Sequence, residues 1–296
     1  MTGGDAMTDP GDDGVSGVRA ALSDLLPVLL PGARYEPTTD EVMIAVQDGR
    51  ARVSVDSLVR TAAQQASTAW PRLVEAWCTA VLEQLHLPIP AIDAEGLRVR
   101  LVPRHDVDPE QLIVRPYGAY FQLELMMDLP QRRIWVGPGQ AGELGLGAAA
   151  AFDAGLRNTI QRELATLGTR RHEIGPGLSI DVAAADDNPW VSVGLTSITN
   201  LFRIESMPYG ALVAVPRLST VMCHVVASDQ VLGDVQVVGR LVADMHRDAI
   251  DPCSPELFWF HGGALYPIRR GDGAKVTLPV ELQPLIASLP SHPIEG

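Results

Sequence analysis

The chain has 296 residues, of which 46% are hydrophobic and 20% are charged, and its net charge at pH 7 is −13. This length and composition predict a folded globular protein and exclude an intrinsically disordered chain. The negative charge argues against nucleic acid as a partner, because a surface that binds phosphate backbones needs an excess of Lys and Arg.

The cysteines and the hydropathy pattern indicate the compartment. Cys78, Cys223 and Cys253 are far apart and form no CxxC pair, which predicts buried free thiols in a reducing compartment. The opening residues lack the features of a signal peptide, and no apolar run approaches the roughly 18 residues that a membrane span needs. We therefore expect a cytoplasmic protein with no membrane partner, no metal and no cofactor.

The N-terminal part, residues 16–90, is predicted to follow a disordered acidic tail, residues 1–15. Apolar periodicity and turn signals predict a helix, a hairpin that turns at Asp48-Gly49, and two more helices. These elements are Ser16–Leu26, which ends at Pro27, then the strands Val42–Val46 and Arg52–Val55, then the helices Ser57–Ala66 and Pro71–His86.

The larger C-terminal part, residues 91–278, repeats the order strand, strand, helix, and a Pro-rich tail, residues 279–296, is expected to be loosely attached. Successive hairpins followed by helices predict the α+β class, with mainly antiparallel sheets and helices packed on one face. The three predicted units are Phe121–Met127, Arg133–Val136 and Ala148–Leu167; Leu178–Ala183, Trp190–Val193 and Thr196–Arg203; and Leu212–Val215, Val221–Val226 and Val231–His246.

A GxGxxG string, residues 137–142, follows the predicted strand Arg133–Val136. In dinucleotide-binding folds such glycines allow a tight turn into a helix that receives the pyrophosphate. Here the preceding strand belongs to a hairpin, and the next helix is predicted to begin only at Ala148. We interpret the string as a glycine-rich connection.

Catalytic and metal motifs are weak throughout the sequence. The string His105-Asp106-Val107-Asp108 precedes a proline and is interpreted as a turn or cap, because a metal site needs at least three convergent groups. No GxSxG is present. The adjacent Cys223 and His224 would point to opposite faces of a strand, and nothing is seen to orient Cys253 with His261.

Six segments, taken in order, form a recognisable pattern: Val42–Leu58, Leu101–Arg104, Leu123–Leu129 with Asp128, Ala148–Thr159 with Asn158, Tyr209–Arg217 and Cys253–Phe258. In this order they resemble the YtpQ-like family of uncharacterised bacterial proteins, a domain of unknown function. The resemblance implies an α+β fold and supplies no activity, cofactor or catalytic residue.

Two functions are open at this point. The first is a non-catalytic interaction or adaptor module that binds a protein partner or forms a homodimer through a sheet face or edge. The alternative is a small-molecule-binding enzyme whose site is assembled from loops, since polar groups can converge without a sequence motif. Asp128 and Asn158 also fit local roles in a turn and a helix. The candidate binding residues are Arg104, Asp128, Asn158 and Arg217, and His105 lies beside the first of them.

Overall fold

The computed structural model describes residues 12–37, 40–46, 49–86, 93–129, 132–270 and 276–291. The chain divides into two compact units, residues 1–91 and 92–296. Most of the expected acidic tail lies outside the described residues, and residues 12–15 begin the first helix. No helix in the described ranges is both long enough and apolar enough to cross a membrane.

The described part of the first unit combines α-helices with a three-stranded antiparallel sheet. The elements are α1 (Asp12–Leu29), β1 (Arg34–Glu36), β2 (Glu41–Val46), β3 (Gly49–Ser54), α2 (Asp56–Ala62) and α3 (Trp70–His86). The pairing of β2 with β3 confirms the predicted hairpin, although Asp48 lies outside the described residues. Helix α1 continues past its predicted end at Pro27, because the buried Leu26 and Leu30 keep packing and the Leu30 N–H still donates to the Leu26 carbonyl.

The described residues of the second unit form two antiparallel sheets. A four-stranded sheet has the order β4-β6-β5, with β7 also paired to β6, and a seven-stranded sheet has the order β14-β13-β12-β10-β11-β9-β8. The strands are β4 (Leu97–Pro103), β5 (Val114–Tyr117), β6 (Phe121–Leu129), β7 (Arg132–Trp135), β8 (Thr169–Gly175), β9 (Leu178–Ala184), β10 (Ala211–Arg217), β11 (Thr220–Val225), β12 (Leu257–His261), β13 (Ala264–Arg270) and β14 (Val276–Thr277). The predicted α+β class is confirmed.

The helices of the second unit accompany these hairpins. They are α4 (Pro138–Glu143), α5 (Ala148–Asn158), α6 (Ile198–Leu201), α7 (Val231–Arg247) and α8 (Gln283–Ala287). The glycine-rich string is itself partly helical, because α4 begins directly after Gly137 and includes two of its glycines. The predicted helix Ala148–Leu167 is α-helical only to Asn158 and continues as a π-helix over Thr159–Leu164.

Two hydrophobic layers cover opposite faces of the seven-stranded sheet. Along β10, Leu212 packs in the layer that contains α7, and Val213 packs in the layer that contains the four-stranded sheet. This division follows from the alternation of side chains along a strand. The amphipathic α7 buries Val235, Val238 and Val242 in its layer. The apolar periodicity that predicted β10, β11 and α7 therefore identified core residues of the second unit.

The second of the three predicted units, Leu178–Arg203, is wrong in its second strand. Pro189–Ser197 is a buried 3-10 helix, and the hairpin partner of β9 is β8, for which no strand was predicted. An apolar run such as Trp190–Val193 is buried in a strand and in a helix alike, so its hydrophobicity cannot distinguish them. Strand β8 is largely exposed and charged, so no apolar alternation marks it.

The expected loose Pro-rich tail is packed over its described residues. Val280–Leu282 forms a 3-10 turn that leads into α8, and Leu282 is only 1% exposed. This leucine lies in the same hydrophobic layer as α7. The Asp229 N–H also donates to the Pro290 carbonyl oxygen at 3.0 Å. Prolines are compatible with such a segment because the short helical turns place them in their first positions.

We expect Gly210→Ala to destabilise the second unit far more than Gly262→Ala. Both glycines have positive φ, which costs an L-residue roughly 1–2 kcal/mol. A Cβ at Gly210 would also overlap the Phe260 carbonyl oxygen, whereas a Cβ at Gly262 would meet open space. Overpacking adds about 1–3 kcal/mol at the first position. Denaturant unfolding of the two variants measures the difference, and equal losses would contradict the close approach of Gly210 to β12.

Candidate functional site

A buried polar network lies on one face of the four-stranded sheet. The register of β4 and β6 places Arg100 opposite Glu124 and Leu101 opposite Leu123. Because side chains alternate along each strand, the leucines face the hydrophobic core and the charged pair faces the other way. Both faces are buried over most of β4 and β6. Two strands that are apolar on one side therefore carry an inaccessible ion pair on the other.

Glu124 is the centre of this network and its side chain is 0% exposed. Its Oε2 accepts from Arg100 Nε at 3.1 Å and Nη2 at 3.0 Å. Its Oε1 accepts from Gln122 Nε2 at 3.0 Å and lies 3.2 Å from His105 Nε2. The other ring nitrogen of His105 lies 3.1 Å from the Pro103 carbonyl oxygen. Both carboxylate oxygens are thus occupied by groups of the same sheet and the loop that follows β4.

This saturation explains how a carboxylate is tolerated in the interior. A buried charge costs several kcal/mol unless a counter-ion and hydrogen bonds compensate it. Here the guanidinium binds one oxygen through two nitrogens, and an amide and an imidazole face the other. Arg98, two residues before Arg100, makes a second such pair with Glu163 at 2.8 Å. The network therefore joins β4 to β6 and to the π-helix.

The free edge of β4 is covered by side chains instead of by another strand. Thr159 Oγ1 accepts from the Val99 N–H at 2.8 Å and donates to the Gly155 carbonyl at 2.9 Å. Ser192 Oγ accepts from the Leu101 N–H at 3.0 Å. Hydroxyl groups can do this because they donate and accept at once. The edge is therefore closed by the π-helix and by the buried 3-10 helix.

Cys253 covers the same edge and is no nucleophile. Its Sγ lies 3.7 Å from the Leu101 carbonyl oxygen, to which the thiol donates. Burial, and secondarily the Asp251 carboxylate, raises the pKa of Cys253 far above its usual range. Burial likewise raises the pKa of Cys223 to about 12. Both side chains are therefore neutral thiols at physiological pH, and only a thiolate would be reactive.

Two of the predicted binding residues lie near the start of β4. Asn158, at the end of α5, donates to the Ala94 carbonyl at 2.8 Å and the Leu97 carbonyl at 3.2 Å. Asp128 faces Arg133 across the β6–β7 hairpin, with 3.6 Å between its Oδ1 and the Arg133 Nε. Each side chain therefore has a local role available to it.

The other two predicted residues lie elsewhere in the second unit. Arg104 is exposed just beyond the end of β4, and its N–H donates to the Tyr120 carbonyl at 2.8 Å. Arg217 Nε donates to Asp251 Oδ1 at 2.7 Å, and Asp251 also accepts from the Ser219 N–H. The contacts seen among the described residues do not join the four candidates into one site. His105, which follows Arg104, does belong to the Glu124 network.

The network itself escaped the sequence analysis. Polar and apolar residues alternate in both strands, a pattern that ordinarily indicates a strand with one exposed face. The polar residues are Arg98, Arg100, Gln122 and Glu124. The signal that could have found the pair is the opposite charge of Arg100 and Glu124 on β4 and β6, and its use requires the register of these strands. Thr159 and Ser192 leave no sequence signal beyond their ability to form hydrogen bonds.

A second polar cluster lies in the first unit. Asp40 is buried with φ +53°, and its carboxylate accepts from Arg19 Nε at 3.1 Å and from the Tyr35 hydroxyl. The Asp40 carbonyl also accepts from the Val55 N–H. Burial, together with the adjacent Asp40 carboxylate, raises the pKa of Tyr35. These contacts join α1, β1 and the turn before β2, so the cluster organises the small sheet.

An exposed strand edge is the other candidate feature. Strand β8 ends the seven-stranded sheet, so among the described residues its outer side has no neighbouring strand. Residues 169–173 are exposed, and Arg171 binds Asp181 of β9 through two contacts of 2.9 Å. By comparison, β5 carries Pro116 on its edge, and a proline blocks strand addition. Within the described ranges, no group of three or more His, Cys, Asp and Glu side chains could hold a metal ion.

We expect Glu124→Ala to lower the free energy of unfolding by roughly 3–5 kcal/mol, because it leaves Arg100 buried without its counter-ion. The double variant Arg100→Met/Glu124→Leu should lose clearly less, since it removes both charges and keeps the volume filled. Denaturant unfolding compares the two. A single variant that unfolds within about 0.5 kcal/mol of the parent would contradict the importance of this pair for the fold.

The buried thiols also predict a pH dependence. The folded-state pKa of Cys223 is raised, so the unfolded chain releases the thiol proton first as the pH increases. The contribution of Cys223 to the free energy of unfolding is therefore constant below about pH 8.5. It falls by roughly 1.4 kcal/mol per pH unit above that value, until the pH reaches the folded-state pKa of about 12. Cys223→Val should show a shallower decrease than the parent between about pH 9 and 11. Identical slopes would show that this thiol ionises equally in both states.

Comparison of the chain with protein-family models, with curated proteins and with solved structures found no match. The resemblance to the YtpQ-like family stays a prediction. The polar network, the covered edge of β4 and the open edge of β8 are therefore the observations on which a function can be argued.

Proposed function

We propose that the chain is a non-catalytic cytoplasmic interaction module, or adaptor, that binds another polypeptide through the outer edge of β8. The observation that carries the proposal is the exposure of this strand at the end of a seven-stranded sheet. An edge strand presents alternate backbone N–H and C=O groups that an added strand can bind. The main-chain bonds would supply affinity, and the charged side chains of β8 would select the partner.

The contrast with two edge strands of the four-stranded sheet, β4 and β5, supports this choice. At β4, the side chains of Thr159, Ser192 and Cys253 occupy backbone groups that a partner strand would need. At β5, Pro116 has no N–H to offer. The seven-residue β8 contains no proline. An added strand would therefore find backbone partners at β8 that are occupied or missing at these two edges.

The state of the polar residues also supports a non-catalytic role. Both oxygens of Glu124 are bound within the sheet, and Asn158 and Arg217 bind backbone carbonyls and a carboxylate respectively. The two cysteines of the second unit are buried thiols with raised pKa values. These contacts give each group a structural role, and most buried polar groups in proteins are hydrogen-bonded for structural reasons.

A second candidate function is a small-molecule-binding enzyme, which one observation favours. His105 contacts the buried Glu124, and its side chain is 15% exposed, so the polar network extends from the interior towards the surface. Buried charge clusters that reach the surface are a common form of ligand site. In that case the Glu124 network would serve the ligand as well as the fold.

Native mass spectrometry of the protein purified gently from its own host separates the two candidates. Neighbouring amides of a strand point to opposite sides, so of residues 171 and 172 one has its N–H directed away from β9. Arg171→Pro and His172→Pro are therefore made separately, and one of them removes an outward N–H of β8. The adaptor proposal predicts a bound polypeptide in the parent and in Arg100→Met/Glu124→Leu, and its loss in one proline variant whose unfolding midpoint is kept. A small-molecule mass that survives in the folded proline variant and disappears in the double variant would contradict the adaptor and support the enzyme.

A further inference from the structure

We infer that the partner of β8 is β8 of a second copy of this chain, paired antiparallel about a two-fold axis at His172. The inference rests on the proposed function, because it uses the same strand edge. The two seven-stranded sheets would then form one continuous sheet across the axis. Such an interface is isologous, so every contact that one copy makes is made again by the other.

The charges of β8 are complementary to themselves in this register. Antiparallel pairing centred on His172 places Arg171 of each copy opposite Glu173 of the other. The two-fold axis produces this ion pair twice. Directly opposed residues of an antiparallel pair share one face of the sheet, and opposite charges in such positions stabilise the pairing.

The neighbouring registers are unfavourable. A two-fold axis perpendicular to the sheet keeps each side chain on its own face, so the centre can move only from one residue to another. Centring the pair on Arg171 would oppose the two Arg171 side chains, and centring it on Glu173 would oppose the two Glu173 side chains. Like charges directly opposite one another destabilise a strand pair. Of these three registers, the one centred on His172 is therefore the one that pairs Arg171 with Glu173 and opposes neither two arginines nor two glutamates.

The contacts of β8 with β9 within one copy are compatible with this pairing. Arg171 already binds Asp181 of β9 through two contacts of 2.9 Å, on the side away from the open edge. In the dimer its guanidinium would lie between that carboxylate and the partner strand's glutamate. The irregularity of the β8–β9 pairing lies between Glu173 and Gly175, outside the three central residues of the proposed interface.

One further opposed pair would include Ile174, the residue at which the register of β8 with β9 shifts. Arg170 would face Ile174 of the second copy, on the face of the sheet where Ile174 packs against the α7 layer. The aliphatic part of an arginine can cover an apolar side chain while its charge stays in water. Seven residues from each copy make a small interface, so we expect a reversible dimer that depends on protein concentration.

Charge exchange at the two paired positions tests the inference. In Glu173→Arg, Arg171 would face an arginine, and in Arg171→Glu, Glu173 would face a glutamate. For each variant alone, the dimer dissociation constant from sedimentation velocity should be at least roughly tenfold higher than that of the parent, because both ion pairs become repulsive. An equimolar mixture should form a heterodimer, in which both pairs again join opposite charges. Isotope labelling of one variant identifies the heterodimer in native mass spectrometry.

Arg170→Glu is the matched control, because it makes the same charge change on the adjacent exposed residue, which would face Ile174. It should dimerise as the parent does, and unfolding midpoints show that all variants are folded. A parent that stays monomeric, or a Glu173→Arg variant that dimerises normally, would overturn the inference. If the parent is monomeric but a proline in β8 releases a different polypeptide, the proposed function stands and only the self-pairing fails.

Discussion

The organisation of the second unit depends on how the backbone groups at the edges of its sheets are satisfied. A buried N–H or C=O without a partner costs a large part of the small net stability of a domain. At β4 the fold meets this requirement with the hydroxyls of Thr159 and Ser192 and the thiol of Cys253. These residues come from three distant segments, so closing one strand edge fixes the position of the π-helix, the 3-10 helix and the loop before β12.

The need to satisfy buried polar groups also explains why the charges on the second face of this sheet are paired. Once the edge of β4 is closed and both faces are buried, the charges on its second face must be neutralised within the protein. Arg100 and Glu124 do this across the β4–β6 pair, and Arg98 does it with Glu163. The pairing of these charges is thus a consequence of their burial in the fold. Strand β8 differs because its charged side chains remain in water.

Sequence patterns predicted those parts of the fold in which burial follows a simple period. The hairpin of β10 and β11 and the amphipathic α7 are examples, since their apolar residues recur with the spacing of strands and helices. Strand β8 was missed because its residues are exposed on both faces. The Glu124 network was missed because it depends on register, which relates Arg100 to a residue 24 positions away. Asp128 and Asn158 were chosen from a family resemblance, and the structure offers each a nearby partner.

The central claim is that β4 has a closed edge and β8 an edge open to a partner. Amide hydrogen exchange at several protein concentrations tests it most directly. The Val99 and Leu101 amides, which bind Thr159 and Ser192, should be protected equally at every concentration. The alternate amides of β8 that point away from β9 should become protected only as the concentration increases. Outward β8 amides that exchange freely at all concentrations, with or without a partner polypeptide, would contradict the account.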